Sequence, residues 1–272
     1  MARDPQVLLV GFGNMGQALV RGWLARGRPA GSIRVVDSAA GARAAADALG
    51  IAASERPPAS SGQKPGVVVL AVKPNQVAAA LAPLAPLARG ATVFLSIAAG
   101  KTIAQLEAGL SARTAIVRAM PNTPAAIGQG ITALVANGST TAAQRELCEQ
   151  LVGAVGATAW LEDERDMDAV TALSGSGPAY VFLLIECLER AGVEAGLAPE
   201  LARRLALATV AGAGAYAAAA AEPAAELRRR VTSPGGTTQA ALDVLGGEHG
   251  LADLIARAVR AAAKRSRELS AV

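Results

Sequence analysis

Residues 7–16 read VLLVGFGNMG: an apolar run, Val7 to Val10, passes directly into Gly11-Phe12-Gly13-Asn14-Met15-Gly16, and a helical pattern follows from Met15 to Ala25. Between a strand and a helix each glycine has a physical task. The first permits the tight turn, the second lets a pyrophosphate approach the main chain, and the third lets helix and strand pack closely. Anionic charge at the start of that helix is favoured by unpaired N–H groups and by the helix dipole. A second run, Ile33 to Val36, ends in Asp37, about 20 residues on, where a dinucleotide site places the acid that bonds the adenosine ribose hydroxyls. Taken alone Asp37 favours NADH. Ser38 and Arg43 follow closely and can hold a 2′-phosphate if Asp37 turns aside, so NADPH and NADH both stay open.

Working outward, further strands are expected at Val67 to Val72, Thr92 to Ile97, Ala115 to Arg118 and Ile131 to Val135, alternating with helical stretches such as Gly41 to Leu49, which stops at Gly50. Short apolar β-branched runs alternating with helices predict an α/β, doubly wound parallel sheet. Ligands in such a sheet bind beyond the carboxyl ends of the strands. The segments Ala71-Val72-Lys73-Pro74 and Ser96-Ile97-Ala98-Ala99-Gly100 are therefore expected to line a cofactor cleft, with Lys73 placed to pair with phosphate or to cap a strand end. From about Asp166 the strand signal disappears, and Tyr180 to Ala195, Pro199 to Ala221, Thr238 to Leu245 and Leu251 to Leu269 read as helices. The expected domains are 1–164, nucleotide-binding, and 165–272, all-helical.

With 52% hydrophobic and 18% charged residues, the chain can bury a large core and is not disordered. Nothing in Met1 to Pro5 reads as a leader, so a cytosolic address is expected. Cys148 and Cys187 stand alone in helical sequence, which builds neither a disulfide framework nor a metal site; both read as packing thiols. The net charge of +4 is spread over scattered arginines, Arg228-Arg229-Arg230 being the one dense run, and aromatics make up only 3%, so no nucleic-acid face is expected. Leu205 to Ala221 is apolar or small throughout but falls short of the ~20 residues a bilayer needs, and reads as a tightly packed internal helix.

Two loops carry the remaining chemistry. Ser233-Pro234-Gly235-Gly236-Thr237-Thr238 precedes a helical stretch and can form a nest for a small carboxylate; the plainer reading is a loop whose threonines only cap the helix. Thr171 and Ser174-Gly175-Ser176-Gly177-Pro178 open another helix, their small residues allowing either a ligand or a second helix to come close. Reducing a carbonyl requires a proton donor in reach, yet no lysine lies between Lys101 and Lys264 and the one histidine, His249, sits in a Gly-rich turn and reads as a surface residue. A protonated cyclic imine already carries the charge that activates its carbon, so such a substrate fits a site without that acid.

Beyond these readings the chain resembles pyrroline-5-carboxylate reductases over nearly its whole length, through GFGNMG, AVKP at 71–74, SIAAG at 96–100, RAMPNTP at 118–124, LSGSGPAYVF at 173–182 and SPGGTT at 233–238. The resemblance implies a Rossmann-like domain followed by an all-helical C-terminal dimerisation domain, and NAD(P)H-dependent reduction of 1-pyrroline-5-carboxylate to L-proline, the final step of proline biosynthesis. It also implies a homodimer or a higher oligomer of dimers; no membrane partner is expected, given the short Leu205 to Ala221 segment. By motif, Ser233, Thr237 and Thr238 would hold the substrate carboxylate and Thr171 would face the imine nitrogen; Thr171, Ser233 and Thr238 form the expected catalytic set. Glu164 would lie at the pocket edge, with Ser174, Gly175, Ser176, Gly177 and Gly236 completing the substrate side. Gly11, Phe12, Gly13, Asn14, Met15, Gly16, Asp37, Ser38, Val72, Lys73, Pro74, Ala98 and Asn122 form the expected cofactor side. One stretch departs from the family pattern: many relatives carry His-Pro-Gly and then Lys-Asp before SPGG, whereas this chain reads from Pro223 to Arg230 without them, and Arg230 stands where relatives often have a small polar residue near the cofactor.

Two other readings compete. A β-hydroxyacid dehydrogenase-like reductase should carry a lysine on the first long helix of the second domain, where this chain has none. A non-catalytic NAD(P)-binding protein would have little need of both SGSGP and SPGGTT.

Overall fold

The computed structural model describes residues 5–57, 64–88, 90–111 and 113–270; the leader reading of Met1 to Asp4 lies outside them. Eight strands form one sheet in the order β3-β2-β1-β4-β5-β6-β7-β8. They are β1 (Val7–Val10), β2 (Ile33–Val36), β3 (Ala52–Ser54), β4 (Val67–Leu70), β5 (Val93–Ser96), β6 (Ala115–Met120), β7 (Gly130–Ala136) and β8 (Gly156–Trp160). Neighbours run parallel except β6 and β7. The physical reason is length: residues 121–129, with a 3₁₀ turn at Thr123–Ile127, are fewer than the roughly a dozen a parallel crossover requires.

The helices among them are α1 (Asn14–Ala25), α2 (Ala40–Asp47), α3 (Val77–Leu81), α4 (Ile103–Gly109), α5 (Ala142–Gly153) and α6 (Met167–Val170). Every residue of β1, β4 and β5 is buried, which is why these strands read as unbroken apolar runs: both faces are covered. Alternation along β1 sends Val7 and Leu9 into one core with Trp23, Val35 and Leu151, and Leu8 and Val10 into another with Phe94, Leu81 and Leu106. The Trp23 indole N–H donates to the Leu151 carbonyl at 2.8 Å, tying α1 to α5.

The chain divides into two compact units, Met1–Gly175 with Ala263–Val272, and Ser176–Ala262. The second contains α7 (Gly177–Glu194), α8 (Pro199–Ala219), α9 (Ala224–Arg230), α10 (Thr237–Leu245) and most of α11 (Leu251–Ser270). Here α7 and α8 pack side by side, a Cβ on Gly192 lying only 3.2 Å from that of Ala202. No residue of α7 is buried, and on α8 only Ala202 and Ala206 are. The last turns of α11 belong to the first unit: the Ser266 hydroxyl donates to Asp168 Oδ1 at 2.6 Å, and Gln105 Nε2 donates to the Ser270 carbonyl at 3.1 Å.

Candidate active site

The order of strands reverses between β1 and β4, and at such a switch point the loops leaving the two strands part to form a crevice. The glycine loop leaves β1 there. Gly11 has φ +96°, and a Cβ on it would stand 2.6 Å from the Ala71 carbonyl oxygen and 2.9 Å from Val72 Cγ1. A Cβ on Gly16 would stand 2.5 Å from the Gly11 carbonyl oxygen, whereas one on Gly13 meets nothing within 4 Å. First and third glycines are thus used by packing, and the second faces open space, the arrangement that admits a pyrophosphate. The first-turn N–H groups of Asn14, Met15 and Gly16 have no intrahelical acceptor, and the Gly13 N-cap carries no side-chain cap. These residues fit a dinucleotide. Phe12 contributes main chain only, its ring being 1% exposed in the core and its N–H already donated to Asp37 Oδ2 at 2.7 Å.

Val72, Lys73 and Pro74 follow β4, with a 3₁₀ turn starting at Pro74. Ala98, after β5, is buried at 4% exposure, and Ser38 is exposed beyond β2. Asn122, after β6, clasps two segments: its Nδ2 donates to the Ser174 carbonyl at 3.2 Å and its Oδ1 accepts from Ile131 N–H at 3.0 Å. Residues Thr171–Gly175 form a π-helical turn, an insertion often found at functional sites. The Thr171 hydroxyl donates to the Met167 carbonyl at 2.8 Å and the Ser174 hydroxyl to the Val170 carbonyl at 3.0 Å. A Cβ on Gly175 would fall 2.5 Å from Met120 Cε, so the turn lies against the side chain at the end of β6. Ser176 is the N-cap of α7, with Gly177 and Pro178 in its first turn.

Glu164 is held rather than free. Its Oε1 accepts from Arg118 Nη1 at 2.7 Å and from Ile103 N–H, the first of α4, at 2.8 Å. The Arg118 side chain is 5% exposed. Sequence reading passed over Arg118, although an arginine inside the buried run of β6 signals a paired charge, because charges are rarely buried alone.

In the helical unit, α10 opens from Gly235, at φ +71°, and Gly236. The Gly236 N-cap has no side-chain cap, so neither Thr237 nor Thr238 is used in the capping role that was the plainer alternative. Ser233 and Thr237 are exposed and Thr238 half-buried. The neighbouring Arg230 pairs with Glu222 at 2.7 Å and Glu226 at 3.8 Å. His249 is exposed. Among the described residues no cluster of three or more His, Cys, Asp or Glu could hold a metal.

Residues 164–269 match the family described as pyrroline-5-carboxylate reductase dimerisation, and residues 6–100 match NADP oxidoreductase, coenzyme F420-dependent. A pyrroline-5-carboxylate reductase of Pseudomonas aeruginosa is 44% identical over 98% of this chain and 97% of its own length. The chain belongs to the pyrroline-5-carboxylate reductase family. The family's Haemophilus influenzae member is 39% identical over 97% of each chain. The Coxiella burnetii reductase structure superposes with a TM-score of 0.92 at 35% identity, covering 98% of both chains, and that of Plasmodium falciparum, solved with NADP bound, with 0.83 at 26%, covering 99% and 100%. GFGNMG, SGSGP and SPGGTT therefore lie in a reductase that matches its relatives from end to end.

Proposed function

We infer that this chain reduces 1-pyrroline-5-carboxylate to L-proline with NADPH or NADH, the closing step of proline biosynthesis. The observation that carries the reading is the end-to-end match to reductases of that name, and the local chemistry agrees with it. A bound reduced nicotinamide supplies the hydride; the chain's own groups bind and orient. The open N–H groups at the start of α1 receive the pyrophosphate, with Val72, Lys73, Pro74, Ala98 and Asn122 bordering the cofactor. Ser233, Gly236, Thr237 and Thr238, with the uncapped N–H groups of α10, hold the substrate carboxylate. Because Thr171 gives its own proton to Met167, its oxygen has lone pairs left to accept the N–H of a protonated imine. That imine needs no general acid, consistent with the lack of lysine between Lys101 and Lys264. Ser174 to Gly177 border the substrate, and Glu164, through Arg118 and Ile103, anchors the segment that leads to Thr171.

Function divides the chain into a nucleotide-binding domain, 1–164, and a helical substrate and dimerisation domain, 165–272. A cytosolic homodimer, or an assembly of such dimers, is the working form. The stretch Glu164–Glu194 is long and apolar enough to cross a membrane by length and composition. We assign its exposed apolar surface to a second copy because Val181, Phe182, Leu183, Leu184 and Leu188 stand exposed together on it and it opens the matched dimerisation region. The test follows nicotinamide oxidation with pyrroline-5-carboxylate and, separately, nicotinamide reduction with a 3-hydroxyacid. Turnover of the imine alone is expected; activity confined to the hydroxyacid would overturn the reading.

A further inference from the structure

The rim of the nucleotide cleft at the end of β2 is built around one carboxylate. Asp37 Oδ2 accepts from Phe12 N–H at 2.7 Å, and Oδ1 accepts from Ala39 N–H at 2.8 Å. The first donor lies in the glycine loop and the second in the turn that leads into α2, so the carboxylate is gripped from two sides. The main chain beneath is pinned as well: Asp37 N–H donates to the Ser54 carbonyl at 3.0 Å, and Gly11 N–H to the Val36 carbonyl at 2.8 Å. Arg43 braces the same turn, its Nη1 donating to the carbonyl oxygens of Asp37 at 2.9 Å and Ser38 at 2.7 Å.

We propose that Asp37, clamped between the glycine loop and the α2 turn, makes NADH the preferred cofactor of this chain. Each carboxylate oxygen accepts one main-chain bond and keeps a lone pair for a ribose hydroxyl. The 2′-phosphate of NADPH would bring a second anion against that carboxylate. A free side chain could swing away. This one would strand the part-buried N–H of Phe12, a costly loss, and would give up the exposed bond from Ala39 N–H as well. Arg43 is tied through Nη1 to two carbonyl acceptors of the same turn, so its charge serves first to brace the turn that holds Asp37. The proposal rests on the reductase reading only in treating the cleft as a nicotinamide site.

The test is a fluorescence titration of the full-length protein with NADH and with NADPH, without imine, alongside thermal melting with each. NADH is expected to bind about tenfold or more tightly than NADPH, the size of one lost charge-assisted contact. Asp37→Ser should weaken NADH by a similar factor and erase the preference. Asp37→Asn, which keeps an acceptor for one N–H but removes the charge, should shift the ratio in the same direction. Wild-type binding of NADPH as tight as NADH overturns the proposal, and so does an unchanged ratio in Asp37→Asn. Imine turnover with NADPH alone would refute this inference and leave the reductase reading standing; tight NADH binding without imine turnover would do the reverse.

Discussion

Leu9, Phe94 and Trp23 in the sheet-bearing unit are at most 2% exposed, whereas Phe182, Leu183 and Leu205 in the helical unit are 56%, 58% and 48% exposed. Both regions are rich in apolar residues, but only the first carries its own covering. Its strands are sealed by helices on both faces, and its two cores are complete within one chain. In the helical unit α7 buries none of its residues. The contrast separates a sheet unit whose cores close within one chain from a helical unit whose large apolar side chains one chain leaves exposed.

The most severe way to break the comparison is to charge the bare face. Phe182→Glu with Leu183→Glu should convert the proposed dimer to monomer in light scattering, because each side chain buried there would contribute about 1.5–3 kcal/mol and two-fold symmetry applies every substitution twice. A dimer of unchanged mass would show that α7 is covered by something else.

The sheet unit has its own weak point. Arg118→Met leaves Glu164 without its buried partner, and losing one member of such a pair costs about 3–5 kcal/mol; with Glu164 28% exposed, about 3 kcal/mol is expected in denaturant unfolding. A loss near zero would mean water already screens the pair.

Thr238→Ala tests the helical unit at its polar end. On the proposed reading it removes one donor to a ground-state carboxylate, so KM for the imino acid should rise about tenfold with kcat little changed. An unchanged KM removes Thr238 from the site.

The smallest effect belongs to Cys148. Burial pushes its thiol up to about 12. Its folded value is raised, so the stability it contributes is full below the ordinary thiol range and is lost as pH climbs through that range toward about 12. At neutral pH no effect on stability is expected, and peptide mapping should find Cys148 unalkylated until denaturant is added. Alkylation in the native protein would show the sheet core to be looser than its burial suggests.

What the sequence disclosed follows the same division. Strands β1, β2, β4, β5, β6 and β7 announced themselves because burial on both faces demands β-branched runs. The edge strands did not: β3 is three small residues, none buried, and β8 alternates between exposed and half-buried positions, so neither needs an apolar signature. Apolar periodicity does not single out α4 or α5 either, yet each opens on a Thr-x-x-Gln capping box, Thr102 with Gln105 and Thr141 with Gln144, a signal available to the eye. The glycine turns at Gly11 and Gly235, both at positive φ, were legible because main-chain geometry dictates their residues. The Arg118–Glu164 pair, 46 residues apart, and the clamp on Asp37 depend on tertiary approach and leave no local trace.

The return of α11 also has a consequence for how the protein is made. A ribosome releases the residues up to Gly175, and then the whole helical unit, before Ala263–Ser270 emerge to complete the first unit. Until then Asp168 lacks Ser266 and Gln105 lacks Ser270. Domains usually fold as units during synthesis, the N-terminal one first; both cores of the nucleotide-binding half are made of residues that precede the helical unit, so that half can form early and the end of α11 closes onto it last.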